Sequence, residues 1–100
     1  MSLITQILRP QDFTARNITI LSGIPEDYAR YVIEQLGLRG IIGPQICRPH
    51  EFNSTTIAIL LWEKMLGPGA WSNATEQSKM ATIDQVQGFL DQWQQQGIIG

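Results

Sequence analysis

The pattern of apolar and polar residues predicts a chain built mainly from amphipathic helices. The clearest stripe is formed by Ala29, Val32, Ile33 and Leu36, which fall at positions i, i+3, i+4 and i+7 of one helix face. Similar patterns predict further helices, namely Leu3 to Leu8, a helix capped by Asp12 or Thr14 and ending near Leu21, Ser54 or Thr55 to Leu66 (with Ile57, Leu60, Leu61, Trp62 and Met65 mostly buried), Ala74 to Met80, and Ile83 to Gln96. The expected fold class is therefore mainly α.

Glycine and proline mark where these helices should end. Ser22-Gly23-Ile24-Pro25 predicts a compact turn, with Gly23 after one helix and Pro25 in the first turn of the next. Gly67-Pro68-Gly69 predicts a hard break in the second half. Gly88 lies inside the last predicted helix, where glycine costs roughly 1 kcal/mol relative to alanine, so we expect something to pack closely against it.

One tetrapeptide occurs twice. Gly40-Ile41-Ile42-Gly43 recurs as Gly97-Ile98-Ile99-Gly100, 57 residues later, and an amphipathic helix precedes each copy. Ile41-Ile42 predicts a short strand, and residues 45–47 with 51–52 predict a small hairpin. The order helix–helix–helix–strand would then occur twice; the alternative is chance similarity between two amphipathic helices.

The segment from Thr14 to Ile42 resembles a winged helix-turn-helix, with a short helix, Ser-Gly-Ile-Pro, a second helix and Gly-Ile-Ile. Part of the chain is also similar to the DNA-reading C-terminal domain of FtsK-type translocases, in Tyr28, Ile33-Glu34-Gln35-Leu36, Gly40-Ile41-Ile42-Gly43-Pro44 and Arg48-Pro49-His50-Glu51-Phe52. This resemblance covers roughly the first half, and a translocase role is not implied because no motor domain is present. It implies a winged-helix-like unit at residues 1–53, followed by a second helical unit without a wing at residues 54–100.

Charge is divided unevenly between the halves. The 100 residues carry a net charge of −2, but the first fifty contain five arginines against four carboxylates, whereas the last fifty contain two lysines against five carboxylates. Because phosphate contacts need cations, any contact with nucleic acid should lie in the first half.

The resemblance implies a DNA-contacting helix that begins near Glu26, since the second helix of the motif enters the major groove. The candidate DNA-binding residues are Arg16, Arg30, Tyr31, Arg39 and Arg48. Glu26, Asp27 and Glu34 would face a polyanion, however, so the alternative is a solvated face with helix-capping acids. The function expected is a small DNA-binding protein, a transcription or replication regulator that binds double-stranded DNA as a homodimer. The alternative is a winged-helix protein-interaction module, an adaptor or complex subunit.

The second half suggests assembly rather than DNA contact, because residues 81–100 contain neither lysine nor arginine. Large apolar side chains there could form a dimer or partner surface, with Trp71, Trp93 and Ile98 as candidates. The alternative for these three residues is the hydrophobic core.

Catalytic and metal chemistry are not expected. Cys47 and His50, the single cysteine and the single histidine, supply two possible ligands and no second pair for zinc. No phosphate-binding loop or nucleophile with an orienting group can be identified, so we expect neither an enzyme nor a cofactor. The longest apolar stretch, Ile57 to Trp62, is too short to cross a membrane, and no signal peptide is recognisable, so we expect a cytoplasmic protein.

Overall fold

The computed structural model describes residues 3–100 and confirms a mainly helical chain. Within these residues, β-type pairing is limited to two isolated antiparallel bridges, Ile7 with Ile99 and Ile42 with Ile46. The short strand expected at Ile41-Ile42 is thus a single bridge. The elements in chain order are a 3-10 turn at Pro10–Asp12, α1 (Ala15–Ser22), α2 (Glu26–Leu38), a 3-10 turn at Pro49–Glu51, α3 (Ser54–Leu66), α4 (Ala70–Asn73) and α5 (Glu76–Gln95).

Local signals place α1 and α2 where the sequence predicts them. Thr14 caps α1, because its Oγ1 accepts a hydrogen bond from the backbone N–H of Asn17 at 3.3 Å. Gly23 ends α1 in the left-handed conformation, with a φ of 75°, which glycine adopts at little cost. α2 then buries most of its predicted stripe, namely Ala29, Val32 and Leu36.

The helix predicted over Leu3 to Leu8 is wrong. Residues 3–9 form an irregular segment whose backbone pairs with the other end of the chain. The N–H groups of Leu8 and Arg9 donate to the carbonyl oxygen of Ile98 at 2.8 and 3.2 Å. These groups find partners far away in sequence, which periodicity alone does not reveal.

The hairpin predicted between residues 45–47 and 51–52 is also wrong. Ile46 pairs with Ile42 instead, and Pro49 begins a 3-10 turn. Proline favours this outcome, because its fixed φ suits the first position of a helical turn and it has no N–H for strand pairing.

The two helices predicted at residues 74–80 and 83–96 are one continuous helix, α5. Thr75 caps it by accepting a hydrogen bond from the backbone N–H of Ser78 at 3.1 Å. Thr82 is accommodated inside the helix, because its hydroxyl donates to the Ser78 carbonyl oxygen at 2.9 Å. The close neighbour expected at Gly88 is not found, since among the described residues no heavy atom beyond the adjacent backbone of α5 lies within 4 Å of a Cβ placed there.

A second sequence repeat, with an offset of 39 residues, organises the fold. Gln6-Ile7-Leu8-Arg9-Pro10-Gln11-Asp12-Phe13 corresponds to Gln45-Ile46-Cys47-Arg48-Pro49-His50-Glu51-Phe52. The stretches have the same local structure: φ and ψ are −130° and 79° at Arg9 and −130° and 78° at Arg48, before each 3-10 turn. We therefore define a first repeat, residues 5–43, and a second repeat, residues 44–100, each ending in Gly-Ile-Ile-Gly.

The repeats join at two equivalent places. At the internal joint, the carbonyl oxygen of Ile41 accepts hydrogen bonds from the N–H groups of Cys47 and Arg48 at 2.8 and 3.2 Å. At the terminal joint, the carbonyl oxygen of Ile98 accepts from Leu8 and Arg9 at the same two distances. The end of each repeat thus binds the beginning of the other, and the two repeats close into a ring.

One insertion distinguishes the repeats. The offset grows from 39 residues at the 3-10 turns to 57 at the Gly-Ile-Ile-Gly segments, so the second repeat contains 18 additional residues. Ser22 corresponds to Leu61 and Glu26 to Ile83, so residues 62–82 replace the three-residue turn 23–25. We call residues 62–82 the helical extension; it comprises the end of α3, all of α4 and the beginning of α5.

Both repeats contribute to one hydrophobic core. Its fully buried side chains come from α2, α3, α5, the residue after the second 3-10 turn and the second Gly-Ile-Ile-Gly segment. They include Leu36, Phe52, Ile57, Leu60, Val86, Leu90 and Ile99. A hydrogen bond also connects the repeats, because the indole Nε1 of Trp93 donates to the Ser22 hydroxyl at 2.9 Å.

Candidate functional site

The predicted DNA-binding residues are spread over several elements. Arg16 is exposed on α1, and among residues 3–100 no carboxylate lies within ion-pair distance of it. Arg30 is exposed on α2 but pairs with Glu26 of the preceding turn at 3.2 Å. Tyr31 is half-buried, and the Lys64 ammonium lies 5.7 Å from the centre of its ring. Arg16 therefore differs from Arg30 in having a free guanidinium.

Arg39 and Arg48 lie together on a cleft of about 310 Å³. Arg39 follows α2 and pairs with Glu63 of α3 at 3.3 Å, whereas Arg48 pairs with Glu51 of its own 3-10 turn at 2.9 Å. Both guanidiniums thus neutralise carboxylates of the chain itself. A cation at the C-terminal end of α2 also offsets the negative end of the helix dipole.

An equivalent cleft of about 180 Å³ lies at the terminal joint, where Arg9 takes the place of Arg48 and Gln96 that of Arg39. Arg9 pairs with Asp12 and donates from Nη1 to the carbonyl oxygen of Gln96 at 3.4 Å, which connects the 3-10 turn to the end of α5. The ion pair between an arginine and the carboxylate three residues later thus recurs in both turns, which supports a structural role for Arg48. The Arg-Pro-x-acidic-Phe repeat of the sequence marks this pair, whereas the Gly-Ile-Ile-Gly repeat does not reveal it.

The partner-binding candidates of the second half separate into two groups. Trp93 and Ile98 are only 3% and 6% exposed and belong to the chain's own core, as the alternative interpretation of these residues holds. Trp71 on α4 is half-buried, with its ring edge-on to Trp62 at 5.9 Å and the Lys79 ammonium 5.8 Å from its centre. Of the three, only Trp71 has surface available to a partner in this fold.

An apolar cleft lies where the repeats differ. One wall is the short turn of the first repeat with the beginning of α2, and the other walls are α3, the helical extension and α5. The cleft is about 290 Å³, and its main apolar lining is Ile24, Tyr28, Leu61, Trp62, Met65 and Phe89. We call it the extension cleft.

The lining of the extension cleft is uncharged. Its polar members in the described chain are hydroxyl or amide side chains, Ser22, Thr82 and Gln85. Met65 was predicted to be mostly buried, but 52% of it is exposed at this cleft. The prediction fails because a helical stripe identifies an apolar face, whereas the depth of the neighbouring elements decides whether that face is covered.

Two local features hold the walls of the cleft. On the first-repeat side, the left-handed Gly23 turns the chain so that Pro25 can start α2 without a long loop. On the other side, the indole Nε1 of Trp62 donates to the Thr82 hydroxyl at 2.9 Å, which fixes α3 against α5. The cleft therefore has a hydrogen-bonded frame, and Met65 is a flexible apolar side chain at its edge.

Within residues 3–100, no three His, Cys, Asp or Glu side chains are grouped as they would be around a metal ion. Among the same residues, none of the helices combines the length and apolar character needed to cross a membrane. Comparison of the chain with models of protein families, with curated proteins and with solved structures found no match.

Proposed function

We propose that this chain is a protein-interaction module, in which the extension cleft receives apolar side chains from a partner protein. The observation that carries the proposal is the uncharged lining of a cleft whose edge leaves Met65 half exposed. A cleft of this kind suits an apolar anchor, because the surfaces of both the anchor and the cleft lose contact with water when the anchor binds. Methionine at the edge supports the same conclusion, because its flexible side chain adapts to different partners.

The size of the cleft indicates the kind of anchor. Ligand pockets usually span about 300–1,000 Å³, and the extension cleft, at about 290 Å³, lies just below that range. Such a volume matches one or two large side chains inserted from a protein surface. A partner segment with leucine, methionine or an aromatic residue as its anchor fits this description.

Charge also supports a protein partner. Arg30, Arg39 and Arg48 each pair with a carboxylate of the chain, and the net charge is −2. Attraction to a polyanion depends on cations that are free to replace its counterions. A protein partner needs no such excess of positive charge.

Double-stranded DNA is the second candidate partner, and the unpaired guanidinium of Arg16 on α1 is the observation in its favour. In this hypothesis α1 and α2 would act as a helix-turn-helix, with α2 in the major groove and Arg16 on the backbone. Binding would then weaken steeply as salt rises.

A selection experiment tests the cleft. A displayed library of random peptides is selected on the purified chain, and the recovered peptides are measured against Met65→Lys and Met80→Lys. These two methionines are 52% and 54% exposed, but only Met65 lines the cleft. We expect peptides with a shared large apolar anchor whose Kd rises at least about tenfold, or about 1.4 kcal/mol, with Met65→Lys and stays unchanged with Met80→Lys.

Two outcomes would overturn the proposal. One is that no peptide binds, or that those recovered bind Met65→Lys as well as the unaltered chain. The other is tight binding to a random DNA duplex at about 50 mM salt that is lost as salt increases and is weakened by Arg16→Ala, which would favour the second candidate. Thermal unfolding of each variant verifies that it is folded.

A further inference from the structure

The terminal joint brings the two ends of the described chain within hydrogen-bonding distance, at the place where a peptide bond connects the repeats in the internal joint. Thr5 is the equivalent of Pro44, which follows Gly43 through a peptide bond. At the terminal joint, the Thr5 N–H donates to the carbonyl oxygen of Gly100 at 2.9 Å. The first residue of one repeat therefore lies next to the last residue of the other at both joints.

The contacts of the terminal joint are made by one short segment. The N–H groups of residues 5, 6, 8 and 9 donate to the carbonyl oxygens of Ile98 and Gly100, and the Gly100 N–H donates to Gln6 at 3.0 Å. Ile4 and Ile7 of the same segment are 6% and 4% exposed. Residues 3–9 thus behave as an arm that is anchored by its backbone and by two isoleucines.

We infer that this arm can be exchanged between two copies of the chain, so that residues 97–100 of one copy bind residues 3–9 of the other. The internal joint supports this occupant, because there the end of one repeat already binds the beginning of a different repeat through the same pair of hydrogen bonds to the Ile41 carbonyl oxygen and the same bond from the Gly43 N–H. A second copy supplies the matching arm. The exchanged dimer would keep each contact of the joint and change only the chain that provides it.

Concentration then decides between the closed monomer and the exchanged dimer. Both forms contain the same joints, so the closed form is favoured mainly by the effective concentration of the arm near its own chain, for which we take the value for a short linker, about 1 mM. We therefore expect monomer at micromolar concentration and a growing share of exchanged dimer as the concentration approaches the millimolar range. The arm exchange does not depend on the extension cleft.

Two single-cysteine chains test the exchange directly. In a Cys47→Ser background, one chain carries Leu8→Cys and the other Gly100→Cys. A Cβ at position 100 would lie 2.8 Å from Cδ1 of Leu8, so thiols introduced at these positions are within reach of a disulfide across the joint. Neither chain can close this disulfide within itself, so the mixed disulfide reports contact between copies.

The chains are unfolded together, refolded at about 0.1 and 1 mM, and then oxidised. We expect the mixed disulfide to increase several-fold between the two concentrations. The matched control replaces Gly100→Cys with Ser72→Cys, at an exposed position on α4, to measure disulfides from random collision. One chain carrying both Leu8→Cys and Gly100→Cys should form an internal disulfide at micromolar concentration, which verifies that the substituted joint folds.

The inference is overturned if the 8–100 disulfide is no more abundant than the 8–72 disulfide at either concentration while the doubly substituted chain closes internally. Failure of the doubly substituted chain to close would also count against it, because the joint would then not have the geometry on which the exchange depends.

Discussion

Phe13 and Phe52 occupy equivalent positions in the two repeats and pack against each other, with ring centres 6.2 Å apart and planes inclined by 52°. Each phenylalanine ends a 3-10 turn that begins with Arg-Pro. The contact therefore lies where the two repeats meet. Their environments differ, since Phe52 is 1% exposed and Phe13 is half-buried.

This difference in burial predicts that the same substitution lowers the free energy of unfolding by different amounts at the two positions. Phe52→Ala removes a fully buried ring and should lower the free energy of unfolding by about 3–5 kcal/mol. Phe13→Ala removes a half-buried ring and should cost clearly less. Urea unfolding followed by circular dichroism measures both, and equal costs would contradict the unequal burial of the pair.

Glycine-to-alanine substitutions should change stability in opposite directions at different positions. Gly97 has a φ of 75° after α5, so Gly97→Ala should destabilise by about 1–2 kcal/mol. Gly88 lies inside α5 with open space around its Cβ position, so Gly88→Ala should stabilise by up to about 1 kcal/mol. Thermal unfolding of the two variants tests the signs, and a loss of stability for Gly88→Ala would show that a neighbour does approach that position.

The hydrogen bond between Trp62 and Thr82 should contribute measurably to the frame of the extension cleft. Thr82→Val removes the hydroxyl that accepts from the half-buried Trp62 indole, at an expected cost of about 0.5–1.5 kcal/mol. Thr82→Ser keeps the hydroxyl and should cost much less. Chemical denaturation measures the free energy of unfolding of both variants. Equal values for Thr82→Val and Thr82→Ser would mean that the hydroxyl contributes little.

Trp93 and Ser22 should be coupled across the repeats. Ser22→Ala leaves the buried indole N–H of Trp93 unpaired and should cost about 1–3 kcal/mol. In a Trp93→Phe background, where that N–H is absent, the same substitution should cost much less. A double-mutant cycle by urea unfolding measures the difference, and a coupling energy near zero would contradict the hydrogen bond.

Closure of the ring should depend on Ile99, which is completely buried. Ile99→Ala should lower stability by about 2–5 kcal/mol, because it leaves a cavity beside the terminal joint. Leu38→Ala is the matched control, since Leu38 is 73% exposed and its removal should change stability by less than about 0.5 kcal/mol. Similar unfolding midpoints for the two variants would contradict a closed ring.

Local chemistry made much of the helical structure predictable. Thr14 and Asn53 cap α1 and α3 through their own side chains, and Gly23 and Gly67 end the same helices. These interactions span a few residues, so their signals are visible in the sequence. The buried stripe of α2 is predictable for the same reason, since it needs only the helical period.

The extension cleft was less predictable. Trp62, Met65 and Phe89 belong to apolar faces that the sequence assigns correctly to helices. Whether such a face is covered depends on the element opposite, here a three-residue turn facing a 21-residue extension. Periodicity gives no information about that difference in depth. For this reason the pattern wrongly predicts that Met65 is mostly buried.

The sequence by itself determined the mainly helical character, the positions of α1, α2 and α3 and the recurrence of Gly-Ile-Ile-Gly, because each depends on contacts within one or two helical turns. The tertiary structure decided how residues 3–9 are used, how the repeats close into a ring and where an apolar face stays open. Those outcomes depend on backbone groups and side chains that meet across as many as 95 residues, such as Thr5 and Gly100. Such partners are selected by the packing of the whole chain, since every buried N–H and carbonyl group must be satisfied somewhere.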